Sequence, residues 1–369
     1  MHQQDRCLGR PGDRALLGHE QPPAVRLGPV LLARHRARRD GRSHGFSPFC
    51  HSFWLAAVGA VYIVHRDPIA ITREPALNEQ RMTACPAPDP NPRRPRLQLP
   101  PGASDCHAHV FDGARHPYQA NRGYTPPDNP VARLLALHDT LGIARGVVVQ
   151  ASVHGIDNRA VLDAVSAHPE RLRAVAAVTE AVTDDELARM HASGVRGIRV
   201  NLVDRGGMPF RSLDALAEMG ERIRDLGWHV ELLVHVESAP ELRTIMTSLK
   251  VPVIVAHVGY TKVTARLDHP GYREFLTMLR DGFGWVKLTA PYRISAQKML
   301  PYDDVIPFVH AVVEAAPDRI VWGSDWPHVM LTNPMPNDGD LVDLLATWLP
   351  DAELRQRILV ANPQRLYWP

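Results

Sequence analysis

Cysteine is scarce in this chain, four in 369 residues, so no disulfide framework underlies the fold. Three of them, Cys7, Cys50 and Cys85, precede residue 100. Net charge is almost absent as well. With 42 basic and 40 acidic residues the balance is +2, which gives no mandate for nucleic acid or a membrane surface as partner. A long apolar run is also missing. The stretch Phe53 to Val64 falls short of the ~20 residues that span a bilayer, and it lies too far from the start for a signal peptide. These absences argue against a disulfide scaffold, a membrane-spanning chain and a nucleic-acid binder, and the expected compartment is cytoplasmic.

What is present is an ordinary globular composition, 45% hydrophobic and 22% charged, enough for a sizeable core. It is unevenly laid out. Residues 1–81 scatter arginine and proline without a sustained period, including Arg34-His35-Arg36-Ala37-Arg38-Arg39, and read as a solvated, disordered arm. Met82 opens a proline-rich run through Pro101, read as a linker over 82–103. The expectation is that the polypeptide starts near Met82 and that the preceding arm is an over-extended gene model.

From Ser104 onward short apolar runs alternate with helical patterns, the mark of βα units. The expected strands are Ser104–Phe111, Arg145–Ser152, Leu172–Thr179, Gly197–Val203, His229–His235, Val251–Gly259, Gly284–Tyr292 and Ile320–His328. Helical patterns such as Val131–Leu141, Asn158–His168 and Asp303–Ala315 lie between them. Residues 104–369 therefore read as one α/β domain, a single (β/α)8 TIM barrel, for which roughly 250 residues suffice.

Polar residues at strand carboxy ends are the informative ones in such a barrel, because its chemistry sits at that mouth. The first strand carries Asp105-Cys106-His107-Ala108-His109, and alternation sends both imidazoles to one face and Cys106, a small core residue, to the other. The sixth strand ends at His257 and the eighth at Gly323-Ser324-Asp325-Trp326-Pro327-His328. His107, His109, His257 and Asp325 together could hold a divalent metal or orient a water. Arg199 in the fourth strand, Arg205 just after it and Arg293 after the seventh suit the carboxylates of a small substrate, since a guanidinium fork pairs bidentately with carboxylate. The competing reading is a structural ion pair with Asp204 or Glu231.

The His-x-His of the first strand, the histidine near the sixth and the Gly-Ser-Asp-Trp-Pro-His of the eighth resemble the amidohydrolase superfamily (amidohydrolase family 2), in its branch of lactonases and decarboxylases. The resemblance extends over Tyr124-Thr125-Pro126-Pro127, Leu137-His138-Asp139-Thr140-Leu141-Gly142, Val149-Gln150-Ala151-Ser152, Arg196-Gly197-Ile198-Arg199 and Pro291-Tyr292-Arg293. It implies a hydrolase of aromatic-compound catabolism that opens a carboxylate-bearing lactone. On that reading Asp325 activates water as general base, and His107, His109 and His257 polarise the ester carbonyl. Arg199, Arg205, Arg293, Tyr124 and Ser152 hold the substrate, and no metal is required. Two departures stand out, Ala256 and Tyr260, where the family more often has Asp before the histidine and Arg shortly after the glycine; one carboxylate contact is thereby missing. His235 lies one step late for a fifth-strand ligand, and Arg199 stands where a bridging lysine would serve a binuclear centre. The alternative is Zn²⁺ at His107, His109, His257 and Asp325, in a decarboxylase or metal-dependent lactonase. A non-catalytic carboxylate-binding barrel is the third reading, opposed by the intact histidines and Asp325.

Overall fold

The computed structural model describes residues 83–203 and 210–369. The expected arm over 1–81, Met82 and Arg205 lie outside the described residues. Eight parallel strands follow one another in chain order: β1 Ser104–Ala108, β2 Arg145–Val149, β3 Leu172–Ala176, β4 Val195–Asn201, β5 His229–Leu233, β6 Val253–Val255, β7 Trp285–Leu288 and β8 Ile320–Trp322. The seam between β8 and β1 is joined just beyond the strands. There Asp325 N donates to His107 O and His109 N donates to Trp326 O, both at 2.8 Å.

The helices α1 Val131–Leu141, α2 Arg159–Ala167, α3 Asp184–Ala192, α4 Leu213–Arg224, α5 Leu242–Ser248, α6 Pro270–Arg280 and α7 Ile306–Ala315 alternate with these strands. The strand residues divide by parity. Val148 packs in the cluster that holds Leu134, Leu137 and Leu141 of α1, whereas Val147 and Val149 pack inside the barrel with Val175, Ile254 and Val321. Helix α2 buries Ala160, Val161, Ala164 and Val165, the spacing of a single apolar stripe. Local signals fix the ends. Gly142, at φ 78°, closes α1 because glycine alone enters that region without strain, and Thr183 with Glu186 forms a capping box that opens α3.

Leu366, Tyr367 and Trp368 from the carboxy terminus join the interior cluster and floor the barrel opposite the mouth. Burying each such side chain is worth ~1.5–3 kcal/mol. The proline-rich run lies along the barrel wall. Thr83–Ala84 pairs with Tyr124–Thr125, Asn337 Nδ2 donates to Asp89 Oδ2, and Leu97 N donates to Asp343 Oδ1.

Two expectations need correcting. Seven of the eight strands are shorter than the runs that announced them, while β4 keeps the expected length but lies two residues earlier; after β6 and β8 the rim turns through left-handed backbone at His257, Val258, Asp325 and His328 while staying buried. Cys106 does not face away from the interior. A register shift between Asp105 and Ala108 breaks the alternation, and Cys106 packs with Val147, Val149 and Val175 inside the barrel. It is nevertheless a core residue, fully buried, and burial pushes its thiol far up.

Candidate active site

The site grows from the β8–β1 seam. Asp105 does not face the mouth. Its Oδ1 accepts from the backbone N of His107 and of Ser324, each at 3.0 Å, and its Oδ2 accepts from Ser324 Oγ at 2.6 Å and pairs with His138 Nε2 at 3.2 Å. This carboxylate locks the two motif strands together. Gly323 lets them approach, since a Cβ there would meet His107 N at 2.6 Å and His107 Cβ at 2.7 Å. A Gly323→Ala substitution is therefore expected to displace His107, costing at least ~2 kcal/mol in chemical denaturation and most of the activity. A variant of wild-type stability and rate would refute that packing argument.

Four of the expected residues converge. The rings of His107 and His109 stand nearly perpendicular with centroids 5.0 Å apart, and His107 and His257 are 5.2 Å apart. Asp325, at φ 62°, reaches between them. Its Oδ2 accepts from Tyr292 OH at 2.7 Å and from Arg293 Nε at 2.9 Å, with Arg293 Nη2 at 2.8 Å. The other oxygen, Oδ1, has no protein hydrogen bond. It lies 3.4 Å from His107 Nε2 and 3.8 Å from His109 Nε2.

His109, Tyr124, Ser152, Arg199, His257, Arg293 and Asp325 all line one cavity at the mouth, with Leu233, Tyr260, Val329 and Met330. Arg199 is 7% exposed, and its Nη1 donates to Gln150 O at 2.8 Å. Arg293 is paired with Asp325 rather than with Glu231, and Asp204 lies outside the described residues. His235 stands apart, its ring stacked on Tyr260 and its Nδ1 2.8 Å from Tyr260 O.

Electrostatics follow from this burial. Burial alone would raise the Asp325 carboxyl, but the Arg293 guanidinium, ahead of the three histidines, holds it well below the usual carboxylate range. Burial lowers His107 well below its ordinary value, helped by the Lys287 charge. It lowers His109 to about 4 and His257 to about 3. At neutral pH the centre is one carboxylate among three neutral imidazoles. His107, His257 and Asp325 can each bring one donor atom within 4.8 Å of the others, a grouping compatible with a cation.

Beneath the centre is a pair that the motifs did not announce. Lys287 of β7 and Glu231 of β5 are fully buried, with Nζ 2.6 Å from Oε2. Burial would raise the Glu231 carboxyl, but Lys287 and then Arg199 hold it below its ordinary value. Each is a charged residue inside an otherwise apolar strand, Trp285-Val286-Lys287-Leu288 and Val230-Glu231-Leu232-Leu233. That interruption was the signal available. Tyr292 and Thr289 were likewise missed as partners of Asp325 and His257.

Residues 104–368 match the amidohydrolase family. The chain belongs to it. This amidohydrolase is 44% identical over 288 residues, 76% of this chain and 94% of the relative, to 2-pyrone-4,6-dicarboxylate hydrolase of Comamonas testosteroni. It is 39% identical over 272 residues, 73% of this chain and 91% of the relative, to 4-sulfomuconolactone hydrolase of Rhizobium radiobacter. Among solved structures, a candidate 2-pyrone-4,6-dicarboxylic acid hydrolase of Acinetobacter baumannii with citric acid bound superposes with a TM-score of 0.65 at 26% identity, covering 73% of this amidohydrolase and 100% of that chain. No helix among the described residues is long and apolar enough to cross a membrane.

Proposed function

We propose that this amidohydrolase opens a lactone that carries carboxylates, with Asp325 accepting the proton of the attacking water. The observation that carries the reading is the split carboxylate. Oδ2 is fixed by Tyr292 and Arg293, while Oδ1 has no protein partner and faces the imidazoles. A general base needs one free oxygen on a rigid group. Lactone hydrolases among its relatives, one acting on a dicarboxylate, and the citric acid held by the Acinetobacter protein support the substrate class.

The imidazoles divide their work by tautomer. His109 Nδ1 lies 2.8 Å from the Val149 carbonyl, which can only accept, so the ring proton is on Nδ1 and Nε2 offers a lone pair. His109 therefore holds the water beside Asp325 rather than the carbonyl. His257 Nδ1 lies 2.6 Å from Thr289 Oγ1, which already accepts from His257 N. The threonine proton is available to Nδ1, leaving Nε2–H to donate to the developing oxyanion alongside His107. Arg199 takes a carboxylate with its remaining N–H groups, Tyr124 and Ser152 contact the ring, and Arg205 and Arg293 complete the anionic recognition. No bound metal enters this sequence of steps. The alternative, Zn²⁺ at His107, His109, His257 and Asp325, has the grouping of donor atoms in its favour. It requires a bare Nε2 on His107, which the contact with Lys287 opposes.

A panel of mono- and dicarboxylated lactones, followed by ultraviolet absorbance with and without chelator, tests the function. Hydrolysis of a dicarboxylated ring with chelator present is the expected result. Failure across the panel, or activity only with added metal, would reject it. Arg199→Met should raise KM for the dicarboxylate at least ~10-fold, consistent with loss of a charge-assisted pair, with a smaller effect on an uncharged lactone. An equal effect on both would assign Arg199 to structure instead.

A further inference from the structure

Lys287 is a fully buried ammonium whose three contacts account for its three protons. Nζ lies 2.7 Å from Cys106 O, 2.6 Å from Glu231 Oε2 and 3.3 Å from His107 Nδ1. An ammonium has no lone pair and can only donate. Toward Nδ1 it therefore meets a lone pair, and the single proton of neutral His107 sits on Nε2, facing Asp325 Oδ1 at 3.4 Å. Glu231 Oε1 is also near Nδ1, at 3.1 Å, but it makes no hydrogen bond there; the carboxylate serves Lys287 through its other oxygen. His109 is tied the opposite way, through the Val149 carbonyl. The two rings of one His-x-His motif are thus set as donor and acceptor.

We propose that Lys287 is a positioning residue that fixes His107 as the Nε2–H tautomer, making it a hydrogen-bond donor at the centre and denying a divalent cation that lone pair. This rests on the hydrolase reading for its purpose but not for its geometry. A cation binding at His107 Nε2 needs the proton to leave that atom, and Nδ1 cannot receive it while an ammonium donates there. The donor set that resembles a metal centre is in this way adapted to work without one. Glu231 is the counter-ion of Lys287 inside the barrel, 2.6 Å away.

The test uses the full chain labelled with ¹⁵N-histidine, the His107 signal being identified by its loss in His107→Gln. Long-range ¹H–¹⁵N correlation at pH 7 should show His107 protonated on Nε2 and His109 on Nδ1. A wild-type His107 protonated on Nδ1 overturns the proposal without recourse to any variant at position 287. In Lys287→Met, Glu231 Oε1 becomes the nearest acceptor, and His107 should switch to Nδ1–H. Zn²⁺, titrated in competition with a chromophoric chelator, should then bind at least ~10-fold tighter than to wild type, the scale on which outer-sphere partners tune metal sites. An unchanged tautomer with unchanged Zn²⁺ affinity refutes the assignment. On the lactone substrate the same variant should lose kcat with KM within about threefold. If wild type hydrolyses no carboxylated lactone, the functional reading falls while the tautomer and Zn²⁺ measurements still decide this proposal.

Discussion

Asp325→Asn is expected to lower kcat by ~10²–10⁴-fold, the usual contribution of a positioned general base, with substrate affinity changed no more than about threefold. The substitution is clean for a backbone reason. Asp325 sits at φ 62°, a region that Asn tolerates as readily as Asp and that other side chains resist. The amide oxygen can still accept from Tyr292 and Arg293 in the place of Oδ2, so the loop and the anion contacts stay in place. The charge that pairs with Arg293 is lost, and with it the capacity of Oδ1 to take a proton. Steady-state kcat and KM on the lactone, together with binding of unreacted substrate to the variant, measure the split. A wild-type kcat would remove Asp325 from the base role; an equal loss of affinity would make it an anchor for Arg293 instead.

That Arg293 clasps Asp325 shows where reading the chain alone stops. The barrel was legible because most strands are short, largely apolar runs between amphipathic segments, the composition that burial on both faces favours. The convergence of His107, His109, His257 and Asp325 was legible for a related reason: a polar residue at the end of such a run has only the mouth to face. Which cation meets which carboxylate was not, because Arg293 and Asp325 lie on different units and meet only across the rim. Strand length escaped for another reason. Left-handed backbone at His257, Val258 and Asp325 falls on side chains that do not announce it, and apolar residues continue past the last ladder bond. The β1 irregularity that turns Cys106 inward is likewise invisible to a strict period of two. Lys287 and Glu231 lay in plain view as charges in apolar strands, but strand parity alone does not say that they are hydrogen-bonding distance apart beneath a histidine.

The same burial makes the molecule sensitive to acid. His107, His109, His257 and, near the barrel floor against Tyr367, His229 are buried. Burial lowers His109 to about 4, His257 and His229 to about 3, and His107 well below its ordinary value. In the unfolded chain each titrates near ~6.5. Between that value and the folded one the unfolded state binds the extra proton, so stability falls as pH drops through the window. The slope is about 1.4 kcal/mol per pH unit for each histidine once the unfolded ring is protonated, or roughly 5 kcal/mol per unit for the four together. Asp325 and Glu231, held low by Arg293 and Lys287 against the effect of burial, add a loss of the same sign below ~4, where their unfolded counterparts protonate. Against a total of ~5–15 kcal/mol, the fold should fail between pH 6 and 4 rather than near pH 2. Urea unfolding at half-unit steps from pH 7.5 to 4.5 would show the midpoint holding above pH 7 and dropping steeply below 6. His229→Leu should flatten the slope by about 1.4 kcal/mol per unit. A midpoint constant from pH 7 to 5, or a His229→Leu slope equal to wild type, would mean that these imidazoles take up protons in the folded barrel, and the neutral centre argued above would have to be abandoned.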